Sequence, residues 1–146
     1  MPATEGACGK ILEAEAGVVI KRIRRHARKS HSAQRQCELQ QWASELLKPA
    51  NGFAELWAPR AWAPEPRQFR MERIDCSVEL EPTDVPELKR FYQLAREAGI
   101  FPCDYELYRQ KDGRVALVDV DKFGQWHQGK VVFPWGLVWA EPTYPY

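Results

Sequence analysis

The run Gly113-Arg114-Val115-Ala116-Leu117-Val118-Asp119-Val120-Asp121 constrains this chain more than any other stretch. Asp112-Gly113 ahead of it is a strong hairpin signal, because Gly takes the positive φ that tight turns demand. Val115 to Val118 is a short apolar strand, and Leu107-Tyr108-Arg109 is its expected partner. Two carboxylates, Asp119 and Asp121, then stand where the strand stops. Acids at i and i+2 both reach one cation if the strand breaks there. Such a strand end suits a hard cation or a phosphate-bound metal, because both take oxygen ligands.

The chain has 146 residues, enough for one domain with a real core. Its hydrophobic fraction of 45% and six Trp place it among globular proteins, not disordered ones. The net charge of +1 gives the whole chain no general pull toward nucleic acid or membrane. The charge is uneven. Lys21 to Arg35 holds seven Lys or Arg and no acid, whereas Glu79 to Glu87 is acidic. No apolar run reaches the length of a membrane span, and no basic-then-apolar leader opens the sequence. Cys8, Cys37, Cys76 and Cys103 lack metal-knuckle spacing, so reduced and mostly buried thiols in an intracellular protein (cytoplasm or nucleus) are expected.

Along the chain, residues 6–13 and 17–23 read as two strands joined by a turn. Ser32 is an N-cap candidate without a capping box, since Arg35 stands three residues on. Leu39, Trp42, Ala43, Leu46 and Leu47 then follow helical spacing, and Pro49 and Gly52 stop the helix. Residues 53–57 and 61–62 are short strand candidates. Gln68 to Ile74 is a better one, with Phe69 and Met71 on one face. Asp84 with Glu87 reads as a capping box opening a second helix, whose stripe is Leu88, Phe91, Tyr92 and Ala95 and whose stop is Gly99. The aromatic stretch Val131 to Tyr146 is too apolar for a free tail. It is expected to pack back on the domain or to cover a partner.

The order of these features resembles the protein kinase-like fold. Val18-Val19-Ile20-Lys21 is similar to the family's Val-Ala-Ile-Lys strand, and Asp119-Val120-Asp121 stands where Asp-Phe-Gly is expected. Phe101-Pro102-Cys103-Asp104 stands where His-Arg-Asp is expected, and Gly6-Ala7-Cys8-Gly9 occupies the place of the glycine-rich loop. The resemblance implies an α+β fold. Its N-terminal lobe is an antiparallel sheet plus one helix (residues 1–75). Its truncated C-terminal lobe is a helix plus a β-hairpin (76–124), followed by an aromatic extension (125–146). It implies Lys21 on nucleotide phosphates, Glu38 holding that lysine (Glu45 as the fallback), and Met71 and Arg73 in a hinge that meets adenine. It further implies Asp104 orienting an acceptor, and Asp119 with Asp121 on Mg²⁺. ATP and Mg²⁺ are the implied cofactors.

The departures have consequences. Position 109, where the family places an asparagine for a second metal, is Arg109, and no asparagine lies nearby. Asp104 and Glu106 each either face a metal or brace the hairpin. Only 22 residues follow Gly124. The expectation is therefore a degenerate, pseudokinase-like domain acting as an interaction or regulatory module with residual nucleotide binding. An active Mg-ATP phosphotransferase is one alternative. A binder of nucleic acid or an acidic partner through Lys21 to Arg35, with aromatic stacking from the C-terminus, is another. An unidentified protein partner is expected, and no membrane.

Overall fold

The structure, a computed structural model, describes residues 3–5, 9–23, 32–143 and 145–146. In chain order its elements are β1 (Ala3–Glu5), β2 (Gly9–Glu15), β3 (Val18–Ile23), α1 (Ala33–Leu46), β4 (Leu56–Trp57), β5 (Ala61–Glu65), β6 (Gln68–Glu72), α2 (Leu88–Glu97), β7 (Ile100–Phe101), β8 (Glu106–Arg109), β9 (Val115–Val118), β10 (Gly124–His127), β11 (Lys130–Val132) and β12 (Val138–Trp139). The architecture is α+β.

Strand alternation builds the first sheet. β3 turns Val19, Lys21 and Ile23 to one buried face, and β6 turns Phe69 and Met71 inward. The five strands run in the order β1-β2-β3-β6-β5, antiparallel throughout, with Lys21 opposite Phe69. Pro64 is tolerated in β5 because that strand is at the sheet edge, where the register shifts between Trp62 and Glu65.

Helix α1 begins as its N-cap foretells: the Ser32 side chain accepts from the Arg35 N–H at 3.2 Å. Its first half lays Ala33 and Cys37 against the first sheet, in a cluster with Val19, Ile23, Ala61, Phe69, Met71 and Val118. Its second half contributes Ala43 and Leu47 to a larger core around Phe91, Leu107, Leu117 and Phe123. The glutamine Gln40 lies on the buried face because its Nε2 donates to the carbonyls of Pro59 (3.2 Å) and Leu117 (3.1 Å).

The three-stranded sheet has the order β4-β9-β8, with β4 parallel and β8 antiparallel to β9. As the middle strand β9 is buried on both faces. Val115 and Leu117 enter the larger core and Val118 the other. The end of β9 therefore lies at the seam between the two clusters. The connection from β6 toward α2 runs along the outer edge of β8. Arg109 N–H donates to the Val78 carbonyl, Leu80 N–H to that of Leu107, and the Gln110 side chain clasps both backbone groups of Asp75.

The capping box expected at Asp84 and Glu87 is shifted. Asp84 instead caps a short 3₁₀ turn (Pro82–Asp84) with Glu81. Glu87, just ahead of α2, accepts from three successive backbone N–H groups, those of Ala54 (2.8 Å), Glu55 (2.7 Å) and Leu56 (2.6 Å). Burial opposes ionisation of this carboxyl, but the three donors outweigh it and hold its pKa below the ordinary range. A depressed native pKa stabilises above the unfolded value, near pH 4, and the gain disappears as pH falls through the native value. Glu87→Gln is accordingly expected to cost about 2 kcal/mol at pH 7, given the half-exposed position, or roughly 4–8 °C in melting temperature. Melts as a function of pH should show the two proteins converging in acid. A constant gap down to about pH 2–3, well below the ordinary carboxylate range, would refute the assignment.

The aromatic C-terminus packs back as a meander. β12, β11, β10 and β7 form a four-stranded antiparallel sheet in that order. Gly124 opens β10 where the neighbouring strand leaves no room: a Cβ there would sit 2.6 Å from Val131 Cγ1. Leu137, Val138, Trp135 and Trp139 remain exposed at the outer edge of this sheet.

Candidate functional site

Lys21 and Asp119 lie 98 residues apart in sequence, and the fold brings them into contact: Lys21 Nζ donates to Asp119 Oδ1 at 2.9 Å. Period-2 alternation places Lys21 among the apolar side chains Val19 and Ile23, with only 11% of its side chain exposed. A cation there needs an anion, and the end of β9 supplies it. Asp119 follows the last strand residue with φ +60°, a left-handed conformation that Asp tolerates better than most residues. Its carboxylate is partly exposed. The ammonium thus closes the back of the site and the acid opens toward solvent.

Glu106 completes the cluster. The hairpin register sets Glu106 opposite Val118, so its carboxyl meets that of Asp119 across the strand end. The Glu106–Asp119 hydrogen bond, followed by burial, raises the Glu106 pKa, while a hydrogen bond from Tyr108 OH to Glu106 Oε2 at 2.6 Å pulls it down. For Asp119, burial opposes ionisation, but the Lys21 charge and the Glu106 hydrogen bond prevail and lower its pKa. Of the two acids, Asp119 is therefore the one biased toward the ionised form. Cys76 is exposed beside these acids. Partial burial, then the charges of Glu106 and Asp119, push its thiol pKa up, so it remains a thiol.

The other expected residues are placed differently. Glu38 is on the exposed face of α1 and accepts from Gln34 Nε2, and Glu45 pairs with Lys48. Neither pairs with Lys21, because the helix turns its buried stripe of Ala33, Gln36, Cys37, Gln40 and Ala43 to the protein instead. Asp121 is buried and its charge acts on Arg35; among the described residues it does not complete a group of three metal-holding side chains with Asp119 and Glu106. Asp104 is exposed, also with positive φ, and its Oδ2 meets Lys122 Nζ at 3.1 Å. Met71 is buried in the sheet interior. Arg73 is exposed, and its N–H donates to the Gly17 carbonyl. Of the basic run, residues 24–31 lie outside the described residues, as do residues 6–8 of the expected glycine loop. Lys21 and Arg35 turn inward.

Arg35 lies outside the set that the motifs point to. Its Nη1 donates to the Asp121 carbonyl at 3.3 Å and its Nη2 to that of Phe123 at 3.0 Å. Burial lowers its pKa, and the Asp121 charge offsets only part of that. The Cys103 thiol donates to the Lys122 carbonyl, between those two in sequence, at 3.2 Å. Burial above all keeps this thiol protonated, with its pKa pushed up to about 11.

Asp119 and Glu106 are hard oxygen donors. Among the described residues no group of three or more His, Cys, Asp or Glu side chains could enclose a metal ion. That pair does suit Mg²⁺ carried on phosphate, which takes one or two carboxylates, keeps several waters and fills the rest from the ligand. Comparison of the chain with protein-family models, with curated proteins and with solved structures finds no match in any of the three. No described helix is long and apolar enough to cross a membrane.

Proposed function

We propose that this chain is a degenerate kinase-like domain that binds the phosphates of a magnesium nucleotide and serves as a regulatory or interaction module. The observation that carries the reading is the Lys21–Asp119 contact. A strand lysine and a strand-end aspartate, remote in sequence, meet at one point with a second carboxylate alongside. Lys21 would bind phosphate oxygens. Asp119 and Glu106 would hold Mg²⁺, which supplies the charge neutralisation that clustered phosphates require.

Phosphoryl transfer lies outside this role. Transfer needs a base aimed at the acceptor hydroxyl. Asp104, the residue in that place, is instead drawn to Lys122 in solvent. The interaction role draws on a separate observation, the exposed apolar edge formed by Leu137, Val138 and Trp139. Apolar patches of this kind mark contact surfaces, and the open strand edge offers backbone groups to a partner.

Thermal melts with ADP or ATP, with and without Mg²⁺, test the site. At ligand about 100-fold above its dissociation constant, linkage adds about 2.7 kcal/mol, or roughly 5–10 °C here. The shift is expected with Mg-nucleotide, absent with Mg²⁺ alone, and lost in Asp119→Ala. No shift at millimolar nucleotide, or a shift that survives Asp119→Ala, would sink the proposal.

A further inference from the structure

We infer that Arg35 is the positioning residue that ties helix α1 to the carboxylate arm of this site. The inference rests on the nucleotide reading above and adds to it the element that sets the geometry. β9 ends at Val118, so Asp119 lies just beyond the strand ladder. The segment that follows is held by side chains from helix α1 and from the loop between β7 and β8. Three consecutive carbonyls, those of Asp121, Lys122 and Phe123, accept from Arg35, Cys103 and Arg35 in turn. Within the segment, Phe123 N–H donates to the Val120 carbonyl at 3.2 Å and closes a turn.

Arg35 has the right chemistry for this place. A planar guanidinium spans two carbonyls with parallel donors, whereas an ammonium is a point charge that satisfies one. Arg35 is itself anchored in the first turn of α1 by the Ser32 cap. Movement of α1 therefore carries the carbonyls of 121 and 123 with it, and Asp119 lies two residues upstream. Lys21 approaches from another element, and its backbone is fixed by the β3–β6 ladder and not by this segment. Arg35 thus governs the metal-facing half of the site and leaves the phosphate-facing half alone.

The test separates the two halves. ADP binding is measured by calorimetry with and without Mg²⁺ on wild type, Arg35→Gln and Arg35→Lys, and amide hydrogen exchange is followed without ligand. In Arg35→Gln the affinity gained from Mg²⁺ is expected to fall about tenfold, while metal-free ADP affinity stays within about twofold. Exchange at the Phe123 amide should quicken about tenfold or more, and Arg35→Lys should recover part of both effects. Equal weakening with and without Mg²⁺ would reduce Arg35 to a structural residue and overturn the inference. An unchanged Phe123 amide would overturn it as well. If wild type binds no ADP under either condition, the nucleotide reading fails, and the exchange result alone decides whether Arg35 holds the arm. Should Arg35→Gln not fold, Arg35→Lys carries both measurements.

Discussion

Phe123→Ala is expected to cost about 3–5 kcal/mol, enough to lower the melting temperature by roughly 10–15 °C. The ring is fully buried and has three aromatic neighbours, edge-on to Trp42 (6.5 Å) and Tyr105 (6.1 Å) and tilted on Phe91 (6.4 Å). Truncation leaves a cavity that these rings, held by one another, cannot collapse into. Total stability for such a domain is about 5–15 kcal/mol, so the loss is a large share of it. Phe123→Leu keeps most of the volume and should cost less than about 2 kcal/mol. Urea unfolding at fixed temperature checks the pair. A loss under about 1 kcal/mol for Phe123→Ala would contradict the burial from which the effect is derived. The effect reaches the site, because the Phe123 carbonyl is one of the two that Arg35 holds.

The Lys21–Asp119 pair should respond asymmetrically. Asp119→Ala leaves the Lys21 cation on an apolar face and is expected to cost about 2–4 kcal/mol. The lower end applies if Glu106 takes over the lysine. Lys21→Met puts an apolar chain between Val19 and Ile23, where the strand already buries its neighbours, and should cost under about 1 kcal/mol. The double variant Lys21→Met/Asp119→Ala should fall close to Lys21→Met alone. Chemical denaturation of all four proteins supplies the cycle. Equal losses from the two single variants would mean that the pair is solvated like any surface bridge.

Much of the fold is legible in the amino-acid sequence. The strand patterns in residues 17–23 and in Gln68 to Ile74, the Ser32 cap and the Asp112-Gly113 turn are local signals, and an element forms at each, the second strand ending at Glu72, two residues short of its pattern. Motif order puts Lys21, Glu38 and Asp119 in one cleft with Glu38 as the lysine's partner, whereas Lys21 bonds Asp119 and Glu38 accepts from Gln34. What stays hidden is tertiary in origin. Glu38 faces solvent because Gln36 and Gln40, polar residues that a hydrophobic stripe does not count, occupy the buried face, and Gln40 does so to bond the carbonyls of Pro59 and Leu117. Arg35 reads as part of a basic surface, since nothing local announces two carbonyls 86 and 88 residues away. Asp121 and Asp119 have the spacing of aligned acids, but the positive φ at Asp119 interrupts the strand alternation on which such alignment rests. Glu106 as the partner of Asp119 is within reach of the sequence: counting back across the hairpin pairs it with Val118, the residue just before the acid.

The separation of 98 residues between Lys21 and Asp119 also sets a timetable. The lysine leaves the ribosome first. At about 5–20 residues per second, its acid follows about 5–20 s later. Until then Lys21 belongs to a strand whose inward face would have to bury an unpaired cation, at a cost of about 2–4 kcal/mol. The β8–β9 and β10–β11 hairpins need only local contacts and form in microseconds once their residues are free. The five-stranded sheet therefore gains its full closing energy only after the end of β9 arrives, and a nascent chain halted short of Asp119 holds that face more weakly.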